Sequence, residues 1–284
     1  MITFSPAKIN LFLEVLSKKS NGLHNINSLM CICNIGDKIN VVKSDDYDLQ
    51  ISGEFKEILA GKENIVNDVF FKLKEEFKIK ENIKIVITKE LPISSGIGGG
   101  SSNAASLFKT IEILFELKIC YSDKCRLLNS FGSDVPFCYH KNPSIVTGTG
   151  DKISDAKSFY EFYLLLINPL VEISTKDVFA EINKKYTKYP TIINSGLNKE
   201  QFINILQKSS NDLEKIVLRN NKAVKSIMNF LNYETKSLFS RMSGSGGTCF
   251  GLFENYNDLK SAYNDLKKTK KKWWFKKGKI LNKI

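Results

Sequence analysis

Residues 92–105 read Pro92-Ile93-Ser94-Ser95-Gly96-Ile97-Gly98-Gly99-Gly100-Ser101-Ser102-Asn103-Ala104-Ala105. Four glycines in five positions let backbone N–H groups approach a phosphate chain without Cβ clashes. Ala105, Phe108, Ile111, Leu114 and Phe115 then recur at helical spacing, which predicts a helix over 100–118. The start of that helix adds unpaired N–H donors and a dipole that favours anions. Ser101 and Ser102 could give hydroxyls to phosphate, help hold Mg2+, or cap the helix. The plainer alternative is a flexible loop before a capped helix, and a strand feeding the glycines argues against it. No Gly-Lys-Ser/Thr follows, so this is no Walker A loop. The surrounding order is not βαβ, so it is no dinucleotide fingerprint.

Two shorter segments could complete a phosphoryl-transfer site. In Phe131-Gly132-Ser133-Asp134-Val135-Pro136-Phe137, Pro136 suits the first turn of a helix and Asp134 stands just ahead of it. Asp134 reads as a carboxylate that orients or accepts a substrate hydroxyl proton, or as a plain helix cap. Met242-Ser243-Gly244-Ser245-Gly246-Gly247-Thr248 reads as a second wall of backbone donors, or as a tight turn before a strand.

The elements that must position these groups alternate between strands and helices. Ile9, Leu11, Leu13 and Val15 alternate with Lys8, Asn10, Phe12 and Glu14 over 7–16. This period-2 strand puts Lys8 and Asn10 on one face, opposite the aliphatic one. Further strands are expected at 28–35, 38–43, 47–52, 83–88, 144–147 and 162–168. Helices are expected at 64–78, 175–185, 199–206, 211–219, 222–232 and 257–269, and a last strand lies within 273–281. Gly148-Thr149-Gly150 looks like a border, giving domains 1–150 and 151–284. The mixed order makes the fold class α+β.

The bulk composition excludes several classes. No run reaches the apolar length of a membrane helix. The N-terminal segment lacks a basic n-region and a cleavage site, so no signal peptide is expected. Six scattered cysteines without a CxxC pair, and two histidines far from any Cys-rich stretch, argue against zinc and against a disulfide framework, and for a reducing cytoplasm. The formal charge is +12, and residues 267–284 carry nine lysines and no acid. That run reads as a solvated helix end and terminal strand, or as a contact for RNA or membrane. Trp273, Trp274 and Phe275 alone make a poor stacking platform. The smaller positive excess elsewhere suits a polyanionic ligand such as ATP.

Taken together, Pro6-Ala7-Lys8-Ile9-Asn10, the 92–105 loop, the Ser133–Phe137 segment, Asn211-Asp212-Leu213-Glu214 and the 242–247 loop resemble the GHMP kinase superfamily, nearly end to end and in its order. The first and third of these point to its members acting on a cytidine diphosphate-linked methylerythritol in non-mevalonate isoprenoid biosynthesis. The resemblance implies a ribosomal protein S5 domain 2-like N-terminal domain and a ferredoxin-like C-terminal domain. It implies a cytoplasmic, ATP- and Mg2+-dependent kinase for a small-molecule acceptor, monomeric or weakly dimeric, with no nucleic-acid or membrane partner and no protein-bound metal site. By position, Pro92, Ile93, Ser94, Ser95, Gly96, Ile97, Gly98, Gly99, Gly100, Ser101 and Ser102 would hold ATP phosphates, helped by Asn64 and Asn103. Asp134 would be the catalytic carboxylate and Lys8 its partner. Asn10, His24, Thr175, Phe179, Gly244 and Ser245 would contact the acceptor, with His24 near the cytosine. His24 on its own is a loop histidine, and His140 has no assigned role. Leu23 stands where the family usually has tyrosine, so an aromatic wall on the cytidine side is either missing or supplied elsewhere. A homoserine or mevalonate kinase is the alternative within the family, and an RNA-binding module the alternative outside it.

Overall fold

A computed structural model describes residues 1–59, 63–182, 186–269 and 272–282. The chain forms two compact units, each assembled from separated segments. The first comprises Met1–Ala7, Gly36–Ile93 and Gly98–His140, and the second Lys8–Ile35, Ser94–Ile97 and Lys141–Ile284. Strands β1 (Ile2–Lys18) and β2 (His24–Ser44) contribute residues to both.

In the first unit β2 pairs antiparallel with β4 (Asn82–Thr88), and β3 (Asp48–Ser52) pairs parallel with β4. Its helices are α1 (Lys56–Leu59), α2 (Ile65–Glu76), α3 (Gly99–Leu114), α4 (Tyr121–Phe131) and α5 (Val135–His140). Val66, Val69, Phe70 and Leu73 of α2 and Leu107, Phe108 and Ile111 of α3 are buried, so the apolar stripes form this unit's core.

The strands expected at 28–35 and 38–43 are one strand. Gly36 and Asp37 read as a break, but Asp37 is fully buried and paired with buried Lys89. Its other oxygen accepts the N–H groups of Glu90 (2.8 Å) and Leu91 (2.9 Å). A satisfied buried carboxylate thus stays within the ladder. The helix expected over 100–118 stops at Leu114, and Glu116 takes a left-handed conformation (φ 52°) that ends it. Helices α1 and α4 were not expected.

In the second unit β2 pairs with β5 (Ser144–Gly148), which forms a hairpin with β6 (Lys152–Asp155). Gly148-Thr149-Gly150 is the turn of that hairpin, with Gly150 N–H bonded to Thr147 O (3.3 Å). Next come β7 (Tyr163–Asn168), α6 (Thr175–Ala180), α7 (Lys199–Lys208), α8 (Glu214–Asn220), α9 (Lys222–Asn229) and a π-helical turn at Phe230–Glu234. Strands β8 (Phe239–Met242) and β9 (Cys249–Phe253), helix α10 (Tyr256–Thr269) and β10 (Trp274–Leu281) follow. From β7 onward the order is strand, helices, strand, strand, helix, strand. The strands lie antiparallel as β10-β7-β9-β8. This is the ferredoxin-like arrangement.

The helix expected over 175–185 ends at Ala180, and residues 183–185 lie outside the described residues. The one expected over 211–219 begins at Glu214, because Asn211 spends its side chain elsewhere. Of the run 267–284, residues 270, 271, 283 and 284 lie outside the described residues. Lys277 sits over the rings of Tyr256 and Tyr263, and Lys279 over Tyr163. No helix among the described residues is long and apolar enough to cross a membrane.

Candidate active site

Strand β1 fixes the positions of Lys8 and Asn10, both almost wholly buried. Lys8 Nζ donates to Asn10 Oδ1 (2.8 Å), and Asn10 Nδ2 donates to Ser28 Oγ (2.9 Å). Ser28 Oγ in turn donates to Phe12 O (2.6 Å). Alternation along β1 puts Lys8 and Asn10 side by side, and β2 supplies the serine that orients the amide.

This row of side chains is joined to both glycine loops. Lys8 N–H donates to Ile97 O (3.0 Å). Asn10 N–H donates to Ser243 Oγ (3.1 Å), which donates to Gly96 O (3.0 Å). Thr248 N–H donates to Ser95 O (3.0 Å). Thus Ser94–Ile97 and the 243–248 loop are laced together through β1 in the second unit. The packing leaves no room for side chains: a Cβ on Gly96 would lie 2.3 Å from Ser243 O and 2.7 Å from Gly246 O, at φ 75°. Gly96→Ala therefore forces backbone to move, at about 1–3 kcal/mol for the strained residue alone. Its thermal midpoint should fall by several degrees and its turnover with it; a variant melting and working like the parent would refute the close packing.

Thr175 Oγ1 and Ser245 Oγ, both expected to contact an acceptor, share a hydrogen bond (2.6 Å). The ring of His24 lies 5.1 Å from that of Phe179, tilted by 30°. Burial, then the charge of Lys18, lowers the pKa of His24 and favours its neutral ring. Leu23 is exposed (53%).

The first unit holds Pro92, Ile93, Gly98–Asn103, Asn64 and Asp134. Gly98 starts α3 in a left-handed conformation (φ 64°), and neither serine caps the helix through its side chain. Ser102 N–H makes the first helical bond, to Gly98 O (2.8 Å). Helix geometry then leaves the N–H groups of Gly99, Gly100 and Ser101 without helical acceptors, a set suited to phosphate. Ser102 and Asn103 turn inward, each accepting from Ser5 Oγ (3.1 and 2.7 Å). Asn64 caps α2 by accepting from Val66 N–H (3.2 Å). Asp134 is half-buried ahead of α5, and its carbonyl accepts from Cys138 N–H (3.0 Å). Among the described residues no cluster of His, Cys, Asp or Glu could hold a metal ion.

Sequence reasoning missed Ser28 and Ser243 as the residues that orient Asn10 and the loops. Asn211–Glu214 carries the family resemblance but no task legible in the sequence. The signal was there for Ser243, which flanks the glycines, and absent for Ser28, an ordinary strand serine.

The GHMP kinases N terminal domain matches residues 64–142, and the GHMP kinases C terminal model matches 194–272. A 4-diphosphocytidyl-2-C-methyl-D-erythritol kinase of Mesorhizobium japonicum is 34% identical over 273 residues, covering 94% of this chain and 92% of its own. One of Caldanaerobacter subterraneus is 32% identical over 264 residues, with 92% and 91% covered. A crystal structure of 4-(cytidine 5'-diphospho)-2C-methyl-D-erythritol kinase superposes with a TM-score of 0.81 over 99% of both chains, at 22% identity. The L. major mevalonate kinase in complex with R-mevalonate shares the fold at TM-score 0.67 and 14% identity, over 99% of this chain and 95% of its own. With relatives of one name matching at this identity over almost its whole length, this chain belongs to the GHMP kinases, in their 4-diphosphocytidyl-2-C-methyl-D-erythritol kinase family.

Proposed function

We propose that the chain transfers the γ-phosphate of ATP to the 2-hydroxyl of 4-diphosphocytidyl-2-C-methyl-D-erythritol. The observation that carries this is the buried Lys8–Asn10–Ser28 row fastened to Gly96 and Ser243, in a chain whose relatives are named for that acceptor. Phosphoryl transfer demands alignment and charge neutralisation more than covalent help. In this reading the N–H groups of Gly99, Gly100 and Ser101 and the Ser94–Ile97 backbone hold the ATP phosphates. Asp134 orients the acceptor hydroxyl and takes its proton late. Lys8 offsets charge developing on the nucleophile, and Asn10 holds the ammonium in place. The His24–Phe179 pair receives the cytosine, and Thr175, Gly244 and Ser245 meet the rest of the acceptor.

Mg2+ fits as an ion that arrives with the nucleotide, since it keeps several waters and binds mainly through phosphates. Ser101, half-exposed in the first turn of α3, is the hydroxyl that could touch it, whereas Ser102 is buried against Ser5. When bound, Mg2+ neutralises charge on the β- and γ-phosphates. The six free thiols suit a reducing cytoplasm.

The test is ADP release by purified protein with ATP, Mg2+ and each of 4-diphosphocytidyl-2-C-methyl-D-erythritol, homoserine and mevalonate. Release with the cytidylyl acceptor alone is expected. Release with another acceptor only would keep phosphoryl transfer and overturn the acceptor assignment.

A further inference from the structure

The turn Ser210–Glu214 has no part in the chemistry assigned so far, yet it is built of buried polar side chains. Asn211, 5% exposed, donates both amide hydrogens of Nδ2 to the glycine loop, one to Met242 O and one to Gly244 O, each at 2.8 Å. Its Oδ1 accepts from Leu213 N–H (3.0 Å). Glu214 Oε2 accepts from Met242 N–H (2.7 Å). The turn is itself held to β1: Leu13 N–H donates to Ser210 O and Asp212 N–H donates to Leu13 O, both at 2.9 Å. The Asp212 carboxylate takes Val15 N–H (2.7 Å) and the hydroxyls of Thr187 and Ser210. The same strand that carries Lys8 and Asn10 therefore carries the turn that grips the loop.

The loop needs such a grip. Gly244, Gly246 and Gly247 all have positive φ (58°, 106°, 82°), and glycine there has many other conformations open to it. The grip also decides direction. In a planar trans peptide the carbonyl and the next N–H point opposite ways. Drawing Gly244 O toward Asn211 turns the Ser245 N–H away from the buried clamp. Ser245 is the residue whose hydroxyl meets Thr175.

We propose that Asn211 and Glu214 are positioning residues for the acceptor: they set the peptide planes of 242–245 so that the loop's backbone donors face the acceptor's diphosphate. The inference rests on the kinase reading above. The clamp's own bonds go to Met242 and Gly244, whereas the loop reaches the Ser95–Gly96 backbone only through Ser243 and Thr248, so the acceptor should feel the loss of the clamp before ATP does.

Initial rates of the full chain, varying acceptor at saturating ATP and the reverse, test it. Asn211→Asp keeps the shape and removes both donors. It should raise the acceptor KM at least about tenfold while the ATP KM stays within about twofold. Glu214→Ala should act in the same direction. Glu214→Gln retains an oxygen for the Met242 N–H and should return the acceptor KM to within about threefold of the parent. If Asn211→Asp does not fold, the Glu214 pair decides. Asp212→Asn, altering the same turn without touching the loop, should lower the melting temperature and leave the acceptor KM in place. An unchanged acceptor KM in Asn211→Asp and Glu214→Ala, or equal rises in both KM values, would overturn the assignment. A parent chain that releases no ADP with this acceptor would instead refute the kinase reading.

Discussion

Asp134→Asn should lower kcat by about 10²–10⁴, the usual worth of a positioned proton acceptor. The amide keeps the size and the half-buried place ahead of α5. The backbone bond from Cys138 N–H to the residue's carbonyl is unaffected by the change. The loss should fall on turnover, with both KM values little altered. Single-turnover phosphorylation, which isolates chemistry from release, checks this. Turnover within a factor of a few of the parent would remove Asp134 from the proton-accepting role.

The second large effect is expected from Lys8→Ala. An ammonium that is 4% exposed carries a desolvation cost, and the bond to Asn10 Oδ1 is one of the interactions that offset it. In the kinase reading this ammonium meets charge formed on the acceptor oxygen. Loss of one preorganised donor to developing charge costs about 10²–10³ in kcat. Removing Lys8 also frees Asn10 Oδ1, so the double variant with Asn10→Ala should fall short of the product of the two single effects. A rise in KM alone, with kcat preserved, would make Lys8 a binding residue and leave neutralisation to other groups.

Much of this site was legible because short-range rules fix it. Period-2 alternation places Lys8 beside Asn10 whatever the rest of the chain does. A glycine run before an apolar helical stripe announces the α3 start, and Pro136 announces α5. The misses share a cause, which is that tertiary contacts overrode local signals. Gly36-Asp37 reads as a break between strands until Lys89 and two N–H groups satisfy the carboxylate inside the sheet. Asn211 reads as the start of a helix until its amide is seen to hold Met242 and Gly244. None of these partners lies within thirty residues, so no local window could have shown them.

Strand β10 joins Ile280 to Cys33 and Leu281 to Ile32, and also lines β7 from Trp274 to Lys279. In a growing chain this makes completion of the second unit a late event. Residues 32 and 33 leave the ribosome early but wait for residues 280 and 281, with the first unit's segments synthesised in between. Contacts so distant in sequence slow folding and leave β2 and β7 edges open in the meantime. The period of exposure ends when β10 docks. A chaperone that shields strand edges would therefore act on this chain until β10 has been made and docked.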